Sequence, residues 1–150
     1  MGAVGGTSET TQMYLRTVLE LERAGVPALR ARLRERLAHT APAISQTVDR
    51  LVKDGLLELR ESDRVLLLTA PGRVVAQAVM RKHELAEHLL MTLAGLDADA
   101  AHEQACDWEH VISDDVERRL RERLGQPSDC PSPNSASTPP DAELGEVVLR

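Results

Sequence analysis

Phenylalanine is absent from this 150-residue chain, and tryptophan and tyrosine occur once each. A core must therefore be built from Leu, Val and Ala, which favours helices over a sandwich or barrel. No apolar run approaches the roughly 20 residues of a membrane span, and the Gly-rich segment 1–6 lacks the apolar stretch of a signal peptide. Both absences predict a cytoplasmic protein with no membrane partner. Cysteine is also scarce: Cys106 lies in a helix-like stretch and Cys130 in a Pro/Ser-rich tail. Surroundings so different argue against a structural disulfide, and a reducing compartment leaves Cys106 free to act as a thiolate ligand.

What is present is unevenly distributed. The formal charge is −6, but residues 1–82 hold 13 basic against 9 acidic side chains and residues 83–150 hold 5 against 15. A basic half joined to an acidic half suggests one surface for phosphates and another for cations.

Hydrophobic spacing predicts a first helix from Ser8 to Ala24, stopped by Gly25-Val26-Pro27. A second is expected from Ala28 to Ala38, with Leu29, Leu33 and Leu37 inward and an Arg run on its other faces. Thr40 caps a third, with Pro42 in its first turn and an inward stripe of Ile44, Val48, Leu51 and Val52. Two helices joined by so short a turn after a supporting helix match helix-turn-helix order. Ala43, Ser45, Gln46, Asp49 and Arg50 face outward, small or hydrogen-bonding groups suited to base edges. Leu56–Leu59 and Val65–Leu68 flank a Glu-Ser-Asp-Arg turn and read as a hairpin wing. Arg60 and Arg64 at its tip suit phosphates. Thr69 and Pro71 open a long helix to Ala94 whose apolar positions include Val74, Val75 and Val79. Asp97 caps the next helix, and Ser113 caps a last one through Leu124 containing Val116 and Leu120. The expected fold is mainly α: a winged helix-turn-helix over 1–76, a helical domain over 77–125, and a Pro/Ser-rich tail over 126–150.

The stretch His102 to His110, HEQACDWEH, is the richest in potential metal ligands. If it is helical, Cys106, Glu109 and His110 stand at i, i+3 and i+4, with His102 one turn earlier. Mixed thiolate, carboxylate and imidazole donors suit a borderline ion such as iron, nickel, cobalt or zinc. A polar helix face with one buried Cys is the plain alternative. His83 and Glu87, at i and i+4 on the long helix, fit a metal pair or an ordinary surface hydrogen bond. HEQAC is a near miss to the HExxH zinc-protease motif, but Cys106 replaces the second imidazole. No enzyme activity and no small-molecule substrate are expected.

The stretches TTQMYLRT (10–17), LRARLRERL (29–37), PAISQTV (42–48), VMRKHELAEHLL (79–90) and HEQACDWEHVISDDVERRL (102–120), in unbroken order, closely resemble the diphtheria-toxin-repressor family of iron-dependent regulators. The resemblance implies a homodimer that binds an inverted-repeat operator in double-stranded DNA and represses iron-uptake genes. It implies a primary site of Met13, Cys106, Glu109 and His110 and an ancillary site of His83, Glu87 and His102. It alone assigns Met13, which the hydrophobic pattern places in the core. Thioether and thiolate soften the primary site toward Fe(II), with Ni(II), Co(II), Mn(II) or Zn(II) as substitutes. The family's manganese-responsive branch has carboxylate at the matching positions, so a manganese- or zinc-tuned regulator is the alternative. Thr40, Pro42, Ser45 and Gln46 match the family's DNA-facing segment; Arg30, Arg32, Arg50, Lys53 and Arg64 match or adjoin its phosphate contacts. Three departures stand out. The SH3-like third domain, source of two further ancillary ligands, is expected to be missing. Glu84 replaces a basic residue that helps relatives hold an anion, and Cys130 matches no family role.

Overall fold

A computed structural model describes residues 7–124, leaving the Gly-rich start, the Pro/Ser-rich tail and Cys130 outside the described residues. Within it run α1 (Glu9–Arg23), α2 (Arg30–Leu37), α3 (Ala41–Lys53), β1 (Leu57–Leu59), β2 (Leu66–Leu68), α4 (Ala70–Thr92), α5 (Ala98–Trp108) and α6 (Asp114–Leu124). The helix starts follow local chemistry. Ser8, Thr40, Thr69 and Asp97 each accept a hydrogen bond from the backbone N–H three residues on, meeting a donor the first turn leaves unpaired.

Helices α1 to α3 enclose a core of Tyr14, Leu15, Val18, Leu33, Ile44, Val48 and Leu51. The α2–α3 turn is closed by Ala38 in the left-handed region, at φ 53°, and the Tyr14 hydroxyl lies 2.9 Å from His39 Nδ1 in that turn. Strands β1 and β2 pair antiparallel with Leu57 opposite Leu68 and Leu59 opposite Leu66. The Leu66 N–H also donates to Ala28 O at 2.9 Å, so the wing is fastened to the chain entering α2.

The long helix α4 packs against α1 and α5, which brings the basic N-terminal half and the acidic half onto one scaffold. Its start is fitted tightly to the wing: a Cβ at Gly72 would lie 1.9 Å from Leu56 O. Two expectations need correction, those for Val74 and for the HEQACDWEH stretch, and α6 adds an unexpected burial. Val74 faces solvent, because Val75, Ala76 and Val79 already fill the inward side of α4. On α6 Val116 is exposed while Glu117 is buried, since Arg81 and Arg121 supply Glu117 with ion pairs at 3.2 and 3.1 Å. Helix α5 ends at Trp108, leaving Glu109 as its C-cap and His110 in the turn beyond, so HEQACDWEH is not one continuous helix face.

Candidate metal centre

Ligand-type side chains gather where α1, α4 and the end of α5 meet. Among the described residues, His83, Glu87 and His102 form the one group of three or more His, Cys, Asp or Glu whose ligand atoms all lie within 4.8 Å of one another. Glu87 Oε1 is shared by His83 Nε2 at 3.0 Å and His102 Nδ1 at 2.7 Å, and the two imidazole nitrogens lie 3.1 Å apart. Three donor atoms converging on one point, two nitrogens and an oxygen, is a chemistry that fits a transition-metal ion.

His83 also turns the other way. Its Nδ1 lies 2.7 Å from Glu109 Oε2, so one buried imidazole links the two groups of residues. Glu109 is only 2% exposed, and the Arg16 Nε–H donates to it at 3.0 Å. Arg16 is itself buried; it donates to Cys106 Sγ at 3.6 Å and pairs with Glu20. His110 Nδ1 lies 2.9 Å from Gln12 Oε1. A carbonyl oxygen only accepts, so Nδ1 donates to Gln12, and the other ring nitrogen, Nε2, faces Glu109 Oε1 at 3.3 Å.

The electrostatics follow from this crowding. Burial works against charge on His83, yet its hydrogen bonds to Cys106, Glu109 and Glu87 outweigh that and raise its pKa well above the usual histidine range. His102 is pushed up to about 9 by hydrogen bonds to Cys106 and Glu87. Burial would raise the Cys106 thiol, but His102, His83 and Arg16 together bring it down to about 6. Glu87 is lowered to about 2, because hydrogen bonds to His102 and His83 overcome its own desolvation.

Met13 is partly buried and packs against the core of the N-terminal half. Its neighbours on the helix, Gln12 and Arg16, are the two side chains of α1 that reach His110, Glu109 and Cys106. Neither had been assigned a role from sequence. Both are buried, at i and i+4 of α1, a burial that residue type and spacing alone do not reveal. Glu84 pairs with Arg23 at 3.2 Å.

The residues expected at DNA lie on α2, α3 and the wing. Thr40 caps α3, Pro42 and Gln46 are exposed, and Ser45 is half-buried. Arg30 donates to Asp49 at 2.7 Å, Arg32 to Glu35 at 3.1 Å, Arg64 to Glu61 at 2.8 Å, and Arg60 holds Asp63 through two bonds. Arg50 and Lys53 are exposed at the end of α3. These mostly exposed pairs are cheap to exchange for phosphate.

Comparisons with known proteins agree with this arrangement. Residues 6–64 match the family model "Iron dependent repressor, N-terminal DNA binding domain", and residues 69–136 match "Iron dependent repressor, metal binding and dimerisation domain". The diphtheria toxin repressor of Corynebacterium diphtheriae is 54% identical over 126 residues, covering 84% of this chain and 55% of that protein. The iron-dependent repressor IdeR of Mycobacterium tuberculosis is 53% identical, over 84% of this chain and 54% of its own length. Among solved structures, the manganese regulator SloR superposes with a TM-score of 0.71 at 32% identity, covering 81% of this chain and 56% of that one. The chain thus spans about half the length of the curated relatives it matches. With both halves matched in order, and with the winged helix and His/Glu/Cys cluster those families imply, the chain belongs to the iron-dependent repressor family, whose members are transcriptional regulators rather than enzymes.

Proposed function

We propose that this chain is a metal-activated, DNA-binding transcriptional repressor tuned to Fe(II). The observation that carries the reading is the bonding across the two halves: Gln12 to His110, and Arg16 to Glu109 and Cys106. Met13 stands between Gln12 and Arg16 in the sequence of α1, and these bonds from α1 to the end of α5 support a site shared by the two. Met13, Cys106, Glu109 and His110 would hold the regulatory ion, with His83, Glu87 and His102 as the ancillary set. When bound, the ion supplies the positive charge and directional bonds that join α1 to α5. The chain's own residues do the rest. Gln12 presents His110 Nε2 as a ligand, and α1 carries any change at its foot directly into the packed α2–α3 unit.

On DNA, Gln46 and Ser45 would read base edges from α3, with Thr40 and Pro42 at its entry. Arg30, Arg32, Arg50, Lys53 and Arg64 would contact phosphates. Leu93, Trp108, Val111 and Val116 are exposed at the ends of α4 and α5 and on α6. Exposed apolar side chains such as these suit contact with a second copy, and a symmetric dimer suits an inverted-repeat operator. No helix among the described residues is long and apolar enough to cross a membrane, in keeping with a cytoplasmic regulator.

The sulfurs of Met13 and Cys106 favour iron over manganese. The alternative, a manganese- or zinc-responsive regulator, draws on fold neighbours such as SloR and the zinc-bound form of ScaR. An anaerobic selection from random duplexes, run with Fe(II), Mn(II), Zn(II) or chelator, tests the proposal. Recovery of an inverted repeat with Fe(II) and not with chelator is expected, lost in Cys106→Ala and Met13→Ala and reduced less in His83→Ala. Equal recovery with chelator would contradict it.

A further inference from the structure

Arg16 has no part in the ligand set just proposed, yet it is among the most buried charges in the chain and touches two of that set's members. Its guanidinium divides three ways: Nε to Glu109, one terminal nitrogen to Cys106 Sγ, the other to Glu20. Glu109 has both oxygens engaged, by Arg16 at 3.0 Å and by His83 at 2.7 Å. A buried carboxylate and a thiolate need a cation nearby, and a planar fork with several donors suits both at once. We propose that Arg16 is a built-in competitor for the regulatory site: a guanidinium that holds Glu109 and Cys106 in the metal-free chain and must let go of Glu109 before that carboxylate can act as a ligand.

Glu20 is what makes the exchange feasible. It sits one turn along α1 and keeps a salt bridge to the departing guanidinium, so Arg16 swings aside without becoming an unpaired buried charge. Arg36 reaches the other Glu20 oxygen at 3.8 Å and helps hold it in place. Because the free form is stabilised by a contact the loaded form lacks, Arg16 weakens metal uptake and raises the concentration at which the chain switches. It is a positioning residue, and the inference rests on the regulatory site proposed above.

The test uses the full chain and Ni(II), whose thiolate charge-transfer absorption reports Cys106 ligation. Arg16→Leu should bind Ni(II) tighter, by about tenfold or more, with a lowered melting temperature in chelator and a nearly unchanged one when loaded. Arg16→Lys, which keeps the charge but not the fork, should fall between. Unchanged or weaker Ni(II) binding by Arg16→Leu would overturn the proposal, since it would make Arg16 a support that the loaded site retains. An NMR readout in the unmutated chain is independent of whether variants fold. On loading with diamagnetic Zn(II) instead, the Arg16 Nε–H should exchange with solvent faster, having lost its bond to Glu109, and exchange as slow as in the free chain would also overturn the proposal. If the unmutated chain takes up Ni(II) with no thiolate absorption, the regulatory site itself is wrong, and the inference falls with it.

Discussion

Replacing Glu109 by Gln should destabilise the metal-free chain by an amount the structure allows one to work out. The carboxylate is 2% exposed and faces two donors, Arg16 Nε at 3.0 Å and His83 Nδ1 at 2.7 Å. Glutamine keeps one acceptor and replaces the other with an amide N–H₂, so one contact becomes donor against donor. It also removes the negative charge that offsets Arg16 and helps keep His83 protonated. Breaking a buried ion pair by neutralising one partner costs about 3 to 5 kcal/mol. Glu20 and Glu87 remain as secondary partners, so the lower end, about 3 kcal/mol, is expected. For a domain of this size that corresponds to a fall of about 10 °C in Tm. His83, charged at pH 7 because its folded-state pKa is raised, contributes stability that is present below the ordinary histidine value and lost only as pH rises through the raised one. The variant should pull that pKa down. Circular-dichroism melts in chelator at pH 7, with an NMR titration of the His83 ring, measure both effects. A loss under about 1 kcal/mol with His83 titrating as before would refute this reading of Glu109 as the electrostatic centre of the cluster.

Other outcomes follow from the same geometry. Metal affinity should keep rising between pH 7 and pH 9. Cys106, at about 6, is already deprotonated by neutrality, whereas His102, at about 9, still gives up a proton over that range; calorimetry in buffers of different ionisation enthalpy would detect proton release. Gly72→Ala should lower Tm by several degrees, because the added methyl meets the Leu56 carbonyl and neither α4 nor the wing can yield cheaply. Gln46→Ala should weaken binding mainly at the selected sequence. Arg30→Ala should weaken binding to any duplex and reduce the salt dependence by about one phosphate contact, read from anisotropy titrations at several salt concentrations.

Much of the fold is legible because its signals are local. Thr40 with Pro42, Thr69 with Pro71, and Asp97 mark helix starts within a few residues, and the wing is bounded by its own turn cluster. Helix ends and faces are less readable. On α6 the apolar Val116 is exposed and Glu117 is buried, because Arg81, on another helix, supplies the partner that makes burying Glu117 tolerable. The site is half legible in the same sense. His83, Glu87, His102 and the candidate ligands of HEQACDWEH stand out by residue type and spacing, and the structure brings the first three together. Gln12 and Arg16 do not, since a Gln and an Arg on a helix are ordinarily solvated, and only the packing of α1 against the end of α5 gives them partners. The sulfur of Met13 is legible only through family resemblance, because a thioether at an inward position reads equally well as core.

Regulation as proposed requires Met13 and Cys106 to lie at one metal ion. X-ray absorption at the Ni(II) edge of the chain loaded with one equivalent tests this most directly. Two sulfur scatterers are expected, falling to one in Met13→Leu and in Cys106→Ser. A single sulfur that Met13→Leu leaves unchanged, or none, would contradict the account.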